Sequence, residues 1–279
     1  MTIEAISARP LGRRAAREGG WWNAGLEARL RGVAVRIVLP GAFVLLWQVA
    51  ANRGWMSAQT LASPAQVFAT FVDLVRSGDI ANNLAISLRR IALGFGVGSA
   101  AGLMLGALLG LSRTAEDYVG PIFRGFAAVP SLGWLPILIL IFGIDETLKV
   151  LIIAKASMVP IVLNTSQGIR NVPLDLLEAA RVLRLRRRTT FSKLIVPATL
   201  PTIFSGVRLA SSHAFIALIV AEMLAATEGI GYMMTWGRTL FQIDIVMVGM
   251  IVVGALGFAI DFGLRRIEAA LSRWSPAHE

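Results

Sequence analysis

The chain has 279 residues, 56% of them hydrophobic and 16% charged, and 27 Lys and Arg against 17 Asp and Glu give a net charge of +10. Soluble domains carry about 25% charge and under half apolar residues. Here the apolar residues run in blocks of roughly 20, the length that crosses about 30 Å of hydrocarbon. Cysteine is absent, which excludes a disulfide framework, a thiolate nucleophile and a cysteine–zinc site. His213 and His278 are too few and too far apart to suggest a metal site. The basic residues lie between the apolar blocks, not along one solvated face, so they speak for membrane orientation and against nucleic-acid binding.

Residues 1–32 form a basic tail (Arg9, Arg13, Arg14, Arg17, Arg29, Arg31) without the apolar core and cleavage site of a signal peptide. Part of it, from Trp21 to Arg31, reads either as an amphipathic helix on the membrane surface or as an unstructured tail. The membrane domain is expected over 33–270, with spans at 33–51, 91–111, 126–144, 148–168, 203–225 and 244–264, and a short tail at 271–279. Between the first two spans, 63–79 begins Ser-Pro-Ala-Gln, which suits a helix start with Pro64 at the first helical position. It is too short and too charged to span, and reads as a helix on the outer surface. Six spans put both termini on one side, and placing them in the cytoplasm puts most of the 27 basic residues inside. Outside lie Arg53, Arg76, Arg89, Arg90, Lys149 and Arg238, and Lys155 falls within a span. The expected fold class is therefore an all-α integral membrane protein, N-in and C-in.

The second span carries Gly94, Gly98, Gly102, Gly106 and Gly110, one every four residues. That spacing puts all five on one ridge of a helix, where another helix can approach backbone to backbone. In the third span Pro130 and Pro136 flank Trp134, so a kink is expected that shapes a gate or serves packing. Ionisable and polar residues inside spans are candidates for a solute pathway, because leaving them unpartnered in lipid is costly. They are Trp134 in the third span, Lys155, Ser157 and Asn164 in the fourth, and Ser211, Ser212, His213 and Glu222 in the fifth. For Lys155 the alternative is snorkelling to Asp145 or Glu146. For His213 it is a hydrogen bond to a neighbouring helix, and Glu222 and Arg208 lie close enough to the span ends to reach water.

The cytoplasmic loop 170–201 is far longer than the 2–8 residues that connect packed helices. Its residues 174–191 read as a short helix with Ala179 and Ala180 on a face that could approach another protein, after which Pro197 and Pro201 break the chain. Glu178-Ala179-Ala180, followed by Phe191, Ile195, Pro197 and Pro201, resembles in order and spacing the loop signature of binding-protein-dependent ABC importer permeases. The resemblance runs from about Leu61 to Pro276. Pro130-Ser-Leu-Gly-Trp-Leu-Pro136, Phe142-Gly-Ile-Asp-Glu146 and Glu228-Gly-Ile-Gly-Tyr232 look like the branch for alkanesulfonates, taurine and nitrate, with aliphatic sulfonate permeases most alike.

The resemblance implies a type I importer permease fold in a bacterial inner (cytoplasmic) membrane. It implies a coupling helix that sits in a groove of an ATPase subunit, with Leu174, Leu177, Glu178, Ala179, Ala180, Leu183, Arg184, Leu185, Phe191, Pro197 and Pro201 as the ATPase-coupling set. One position departs from the family. Where the docking segment usually turns on a glycine, six residues after the glutamate, this chain has Arg184. Arginine does not readily adopt a left-handed conformation, so either the helix runs on through Arg184 or the ATPase groove is shaped differently.

No G-x-x-x-x-G-K-[ST] phosphate loop occurs. ATP and Mg are thus expected on a partner ATPase, and the chain itself is expected to hold no cofactor, no metal and no catalytic site. The expected partners are two ATPase subunits, an extracytoplasmic solute-binding protein, a second copy of the chain and the lipid bilayer. The expected cargo is a small organic anion such as an alkanesulfonate or taurine. Nitrate, an aromatic carboxylate or another small nutrient is the alternative, and an ion-coupled secondary transporter is the rival class; that class would show paired interrupted helices in inverted repeats.

Overall fold

The computed structural model describes residues 38–55, 57 and 60–271. The basic tail, its expected surface helix at 21–31, the start of the first span and residues 272–279 lie outside the described residues. Every regular element among the described residues is helical. The chain divides into two compact units, Met1–Pro64 and Ala65–Glu279.

In the first unit, α1 (Val38–Asn52) is an apolar helix that accounts for the described part of the first span. It stops at Gly54, whose φ of 67° lets the Trp55 N–H turn back to the Ala50 carbonyl at 3.1 Å. The Trp47 indole N–H donates to the Ala62 carbonyl at 3.0 Å.

Helix α2 (Pro64–Arg76) starts at the proline as expected and belongs to the second unit from Ala65 on. Its Thr70 hydroxyl donates to Asp244 at 2.6 Å, in the first turn of α11 (Ile243–Leu271). The core is built around α3 (Asp79–Leu111), α6 (Glu146–Arg170) and α9 (Val196–Ala225). The glycine ridge of α3 faces α6. A Cβ on Gly94 would lie 2.6 Å from the Cβ of Ile153, on Gly102 2.9 Å from that of Ile161, on Gly106 2.7 Å from that of Thr165 and on Gly110 2.8 Å from that of Ile169. At Gly98 it would overlap Ser157 and Ala154. The facing residues of α6 also recur every four, so two matching ridges interlock, and the expectation of close packing holds.

Gly94 pairs with Ile153 and Gly110 with Ile169, so α3 and α6 run in the same direction. The chain between them must therefore travel back along their length. It does so in α4 (Arg113–Ala128) and α5 (Leu135–Phe142), the latter preceded by a 3-10 turn at Ser131–Trp134. The kink expected in the span at 126–144 is a full break: the helices before and after it meet at 86°. Val129 and Pro130 are extended at the break, because Pro130 has no N–H to continue the ladder.

Helix α9 packs antiparallel on α6, with Gly206 against Asn164 at one end and Ala225 against Leu148 at the other. Among the described residues, α3, the helix leading into α9 and α11 are each long and apolar enough to cross a membrane, and the bent pair makes a fourth. Helix α6 is more polar in sequence because it is the central helix: Leu148, Ile152, Ile153, Ile161 and Val162 are fully enclosed. Lipid reaches little of it.

Two helix starts differ from expectation. Helix α3 begins at Asp79, ahead of the span expected at 91–111, and its added turns place Arg90 inside the protein, where Glu222 neutralises it. Pro197 and Pro201 do not break the chain either. A short helix, α8 (Arg187–Thr190), passes through a widened turn at Phe191–Ile195 directly into α9. There the Val196 N–H bonds the Phe191 carbonyl five residues back, which leaves room for a proline without an N–H in the next position.

Candidate functional site

At the end of the bundle where α3 and α6 start, charged side chains are gathered inside. Arg90, 2% exposed, donates through Nε and Nη2 to both oxygens of Glu146, at 2.8 and 2.6 Å. Its Nη1 donates to Glu222 at 2.8 Å and to the Glu228 carbonyl at 2.7 Å. Glu222 is fully buried and also accepts from the Ser87 hydroxyl at 2.8 Å and from the Gly231 N–H at 3.0 Å. Lys149 completes the set on Glu146 at 2.8 Å. Hydrogen bonds from Arg90 first and then Lys149 hold the Glu146 carboxyl down to about 2.

Glu222 therefore neither reaches water nor opens on a pathway; it ties α9 to α3 and α6. The Glu228–Tyr232 motif is explained in the same way. Its N–H groups turn inward, Gly229 to Asn83 at 2.8 Å and Ile230 to the Ser87 hydroxyl at 3.1 Å. Gly229 holds φ 109°, and a side chain there would fall on Glu222 and Arg90. Arg90, Glu146, Lys149 and Ser87 are the residues that sequence reasoning missed. A glutamate near one span end and an arginine near another, each ionisable at membrane depth, were the available signal.

Halfway down, the α4–α5 break opens a cleft of about 370 Å³ against α6 and α9, lined by Val129, Pro130, Ser131, Lys155, His213 and Ile216 among others. Lys155 does not snorkel to Asp145 or Glu146. Its ammonium donates to the Val129 carbonyl at 2.6 Å and sits 4.8 Å from the ring centroid of Phe126 and 5.7 Å from that of Trp134. The Val129 carbonyl is free to accept because α4 ends there, so the lysine caps a broken helix. Trp134 stacks at a tilt on Phe126, centroids 5.2 Å apart, with its indole N–H buried and without an acceptor among the described residues. His213 is exposed on the cleft and, among the described residues, makes no hydrogen bond to a neighbouring helix. Three of the expected pathway residues, Trp134, Lys155 and His213, thus come together.

The others do not join them. Ser157 is fully buried in the α3–α6 seam, bonded to the Ile153 and Ala154 carbonyls of its own helix at 3.0 Å. Asn164 donates to the Pro160 carbonyl of its own helix at 2.9 Å and packs against Gly206 of α9. Ser211 and Ser212 line a separate cleft of about 230 Å³ beside Arg208, whose charge is taken by Asp261 at 3.1 Å.

At the opposite end from the Arg90 network, α7 (Leu174–Val182) stands off the bundle. Only Ala180 is buried; Leu177 is half-buried, and Leu174, Glu178, Ala179, Val182, Leu183, Arg184, Leu185 and Phe191 are exposed. Leu177, Ala180, Leu185 and Phe191 line an open cleft of about 710 Å³ with Leu111. Pro197 and Pro201 are half-buried in the first turns of α9. The helix does not run on through Arg184. It ends at Val182 and Arg184 takes a φ of 48°. The N–H of Leu185 bonds the Ala180 carbonyl at 3.0 Å and that of Arg184 the Arg181 carbonyl at 2.9 Å. This is the closure a glycine normally makes. Beside α7, Arg170 at the end of α6 pairs with Glu116 of α4 at 2.6 Å, and Arg124 adds 2.7 Å. These bonds, Arg170 first, hold the Glu116 carboxyl below its usual range.

A bundle of membrane-crossing helices with a centrally enclosed polar helix, and one long loop with exposed apolar side chains, is the construction of a transport permease. Residues 98–273 match the family of binding-protein-dependent transport system inner membrane components, and the chain belongs to that family, an inner-membrane one. It is 38% identical over 243 residues to the aliphatic sulfonates transport permease protein SsuC of Bacillus subtilis, covering 87% of this chain and 88% of that one. It is 39% identical over 240 residues to SsuC of Escherichia coli, covering 86% and 91%. In three dimensions it resembles an inward-facing structure of the methionine ABC transporter MetNI, with a TM-score of 0.56 and 19% identity, covering 67% of this chain and 93% of that one. The type I importer permease fold expected from the sequence is thereby established.

Proposed function

We propose that the chain is the membrane-spanning subunit of an ATP-driven importer for small aliphatic sulfonates, working as a pair with two ATPase subunits on the α7 side. An extracytoplasmic binding protein delivers the solute at the end where α3 and α6 start. The observation that carries the reading is the exposed segment 174–191. A nine-residue helix that, with the residue after it, leaves Leu174, Val182 and Leu183 at 72%, 82% and 69% exposure in an aqueous loop is unfavourable unless a partner covers it. Ala179 leaves the middle of that face open to close approach. The sulfonate assignment is supported by similarity to the two SsuC proteins across most of both chains. The nucleotide and its Mg belong to the partner in this reading, and the chain supplies the path and the docking helix.

Uptake of labelled butanesulfonate by proteoliposomes containing this chain, its ATPase and its binding protein tests the reading. Uptake should require ATP and disappear with Ala179→Arg, while the permease remains inserted and folded. Cysteine pairs placed on α7 and on the ATPase should crosslink, and the permease contributes no other cysteine. Free labelling of α7 throughout the assembled complex would rule out the docking role.

A further inference from the structure

We infer that the cleft at the α4–α5 break is a subsite for the anionic head of the solute, with Lys155 as its cation; this rests on the reading of the chain as an organic-anion permease. Lys155 is 9% exposed, and no carboxylate among the described residues lies within ion-pair distance of it. Each of the other buried cations has one: Arg90 pairs with Glu222 and Glu146, and Lys149 with Glu146. Among the described residues the sole hydrogen bond of Lys155 goes to the Val129 carbonyl, which uses one of three ammonium donors. Two aromatic faces shield the charge on one side without neutralising it. A buried charge without a counter-ion is a standing cost, and the remaining donors border a cleft of about 370 Å³, within the range that holds small ligands.

The chemistry of the lining narrows the class. Apart from Lys155, Ser131 and the exposed His213, the walls are apolar, from Val129, Pro130 and Val159 to Ile216. An anion with a short alkyl tail satisfies both parts, the head at Lys155 and the tail against the walls. A bare inorganic anion leaves the apolar walls unfilled, and a cation is repelled. The cleft beside Arg208 does not qualify, because Asp261 already neutralises its cation.

The absence of cysteine allows a direct test on the assembled importer. Ser131→Cys places a single thiol on the cleft. Its rates of modification by sulfonatoethyl and trimethylammonioethyl methanethiosulfonate are measured, each normalised to a free thiol. A nearby unpaired ammonium should favour the sulfonate reagent by about tenfold. The preference should vanish with Lys155→Met, survive with Lys155→Arg, and butanesulfonate should slow the reaction. If Lys155→Met lowers the folded yield, Lys155→Gln, which keeps a donor for Val129 without the charge, replaces it. A ratio near one, or a ratio that Lys155→Met or Lys155→Gln leaves unchanged, overturns the subsite. Uptake separates the two levels. Normal butanesulfonate uptake with unchanged KM in the neutral variant removes the subsite and leaves the permease reading intact. A wild-type importer that ignores sulfonates while the thiol preference stands removes only the substrate assignment.

Discussion

Replacing Arg90 by methionine removes the cation from a glutamate that is fully buried. Glu222 keeps two donors, the Ser87 hydroxyl and the Gly231 N–H, but loses its only ion pair, and the Glu228 carbonyl loses its partner as well. Breaking a buried pair by removing one member costs about 3–5 kcal/mol, because the remaining charge stays desolvated. The two surviving hydrogen bonds put Arg90→Met at the lower end, about 3 kcal/mol. Removing both charges is a different perturbation: apolar side chains of similar volume in place of a buried pair are often neutral or stabilising. Arg90→Met with Glu222→Met should therefore be more stable than Arg90→Met alone. The assay is thermal unfolding of the purified permease followed by loss of the monodisperse fraction. A single variant indistinguishable from wild type, or a double variant no better than the single, would refute the reasoning.

Gly102→Leu should sharply reduce folded protein, since its Cβ alone would lie 2.9 Å from Ile161, whereas Gly96→Leu, on a side with nothing within 4 Å, should be tolerated. Equal yields of the two variants would show that the seam does not hold the fold. Arg184→Gly should relieve a left-handed backbone and stabilise the end of α7 by about 1 kcal/mol, read as roughly fivefold slower hydrogen exchange at residues 183–185. Glu146 has its carboxyl lowered from 4.5 to about 2, so its contribution to stability is present above pH 4.5 and is lost as pH falls from there towards 2. The wild type should lose thermal stability over that window more steeply than Glu146→Gln, and parallel curves would contradict it.

The features legible in the sequence are those that repeat along one helix. The glycine ridge is written in steps of four, so its burial follows from helix geometry before the partner is known. The loop 170–201 stands out by length alone. What the sequence does not display is the choice among partners across helices. Asp145 and Glu146 lie nearer to Lys155 in the chain than Val129 does, yet the break in α4 offers a free carbonyl at the right depth and Glu146 is taken by Arg90 and Lys149. Arg90 and Glu222 are 132 positions apart and meet only because α3 and α9 run antiparallel. Arg184 reads as a helix residue by composition. It turns left-handed because the hydrogen bonds that close α7 reward that conformation more than the side chain opposes it. Phe241 does the same at the end of α10 (Ile230–Thr239), with φ 58° and the Gln242 N–H on the Gly237 carbonyl at 2.8 Å.

These interactions divide the bundle by how it can deform. Helices α3 and α6 cannot shift by a fraction of a turn, because every glycine of the ridge would then drive its backbone into a Cβ or carbonyl of the facing row. The Arg90–Glu222–Glu146 network fixes the same two helices to α9 at one end, with its buried atoms satisfied. A displacement imposed at α7, which follows α6 after three residues, therefore moves α6 together with α3 and α9 as one body. The bent pair α4–α5 is held differently. Leu109, Phe123 and Val162 pack it at one end and Leu132, Leu135 and Leu138 at the other, contacts between apolar side chains that tolerate sliding better than interlocked backbones do. Between those contacts the chain is broken at Val129–Pro130, and the Lys155 ammonium spans the break. Relative movement of the three-helix body and the bent pair is thus concentrated where, among the described residues, a buried cation stands without a counter-ion.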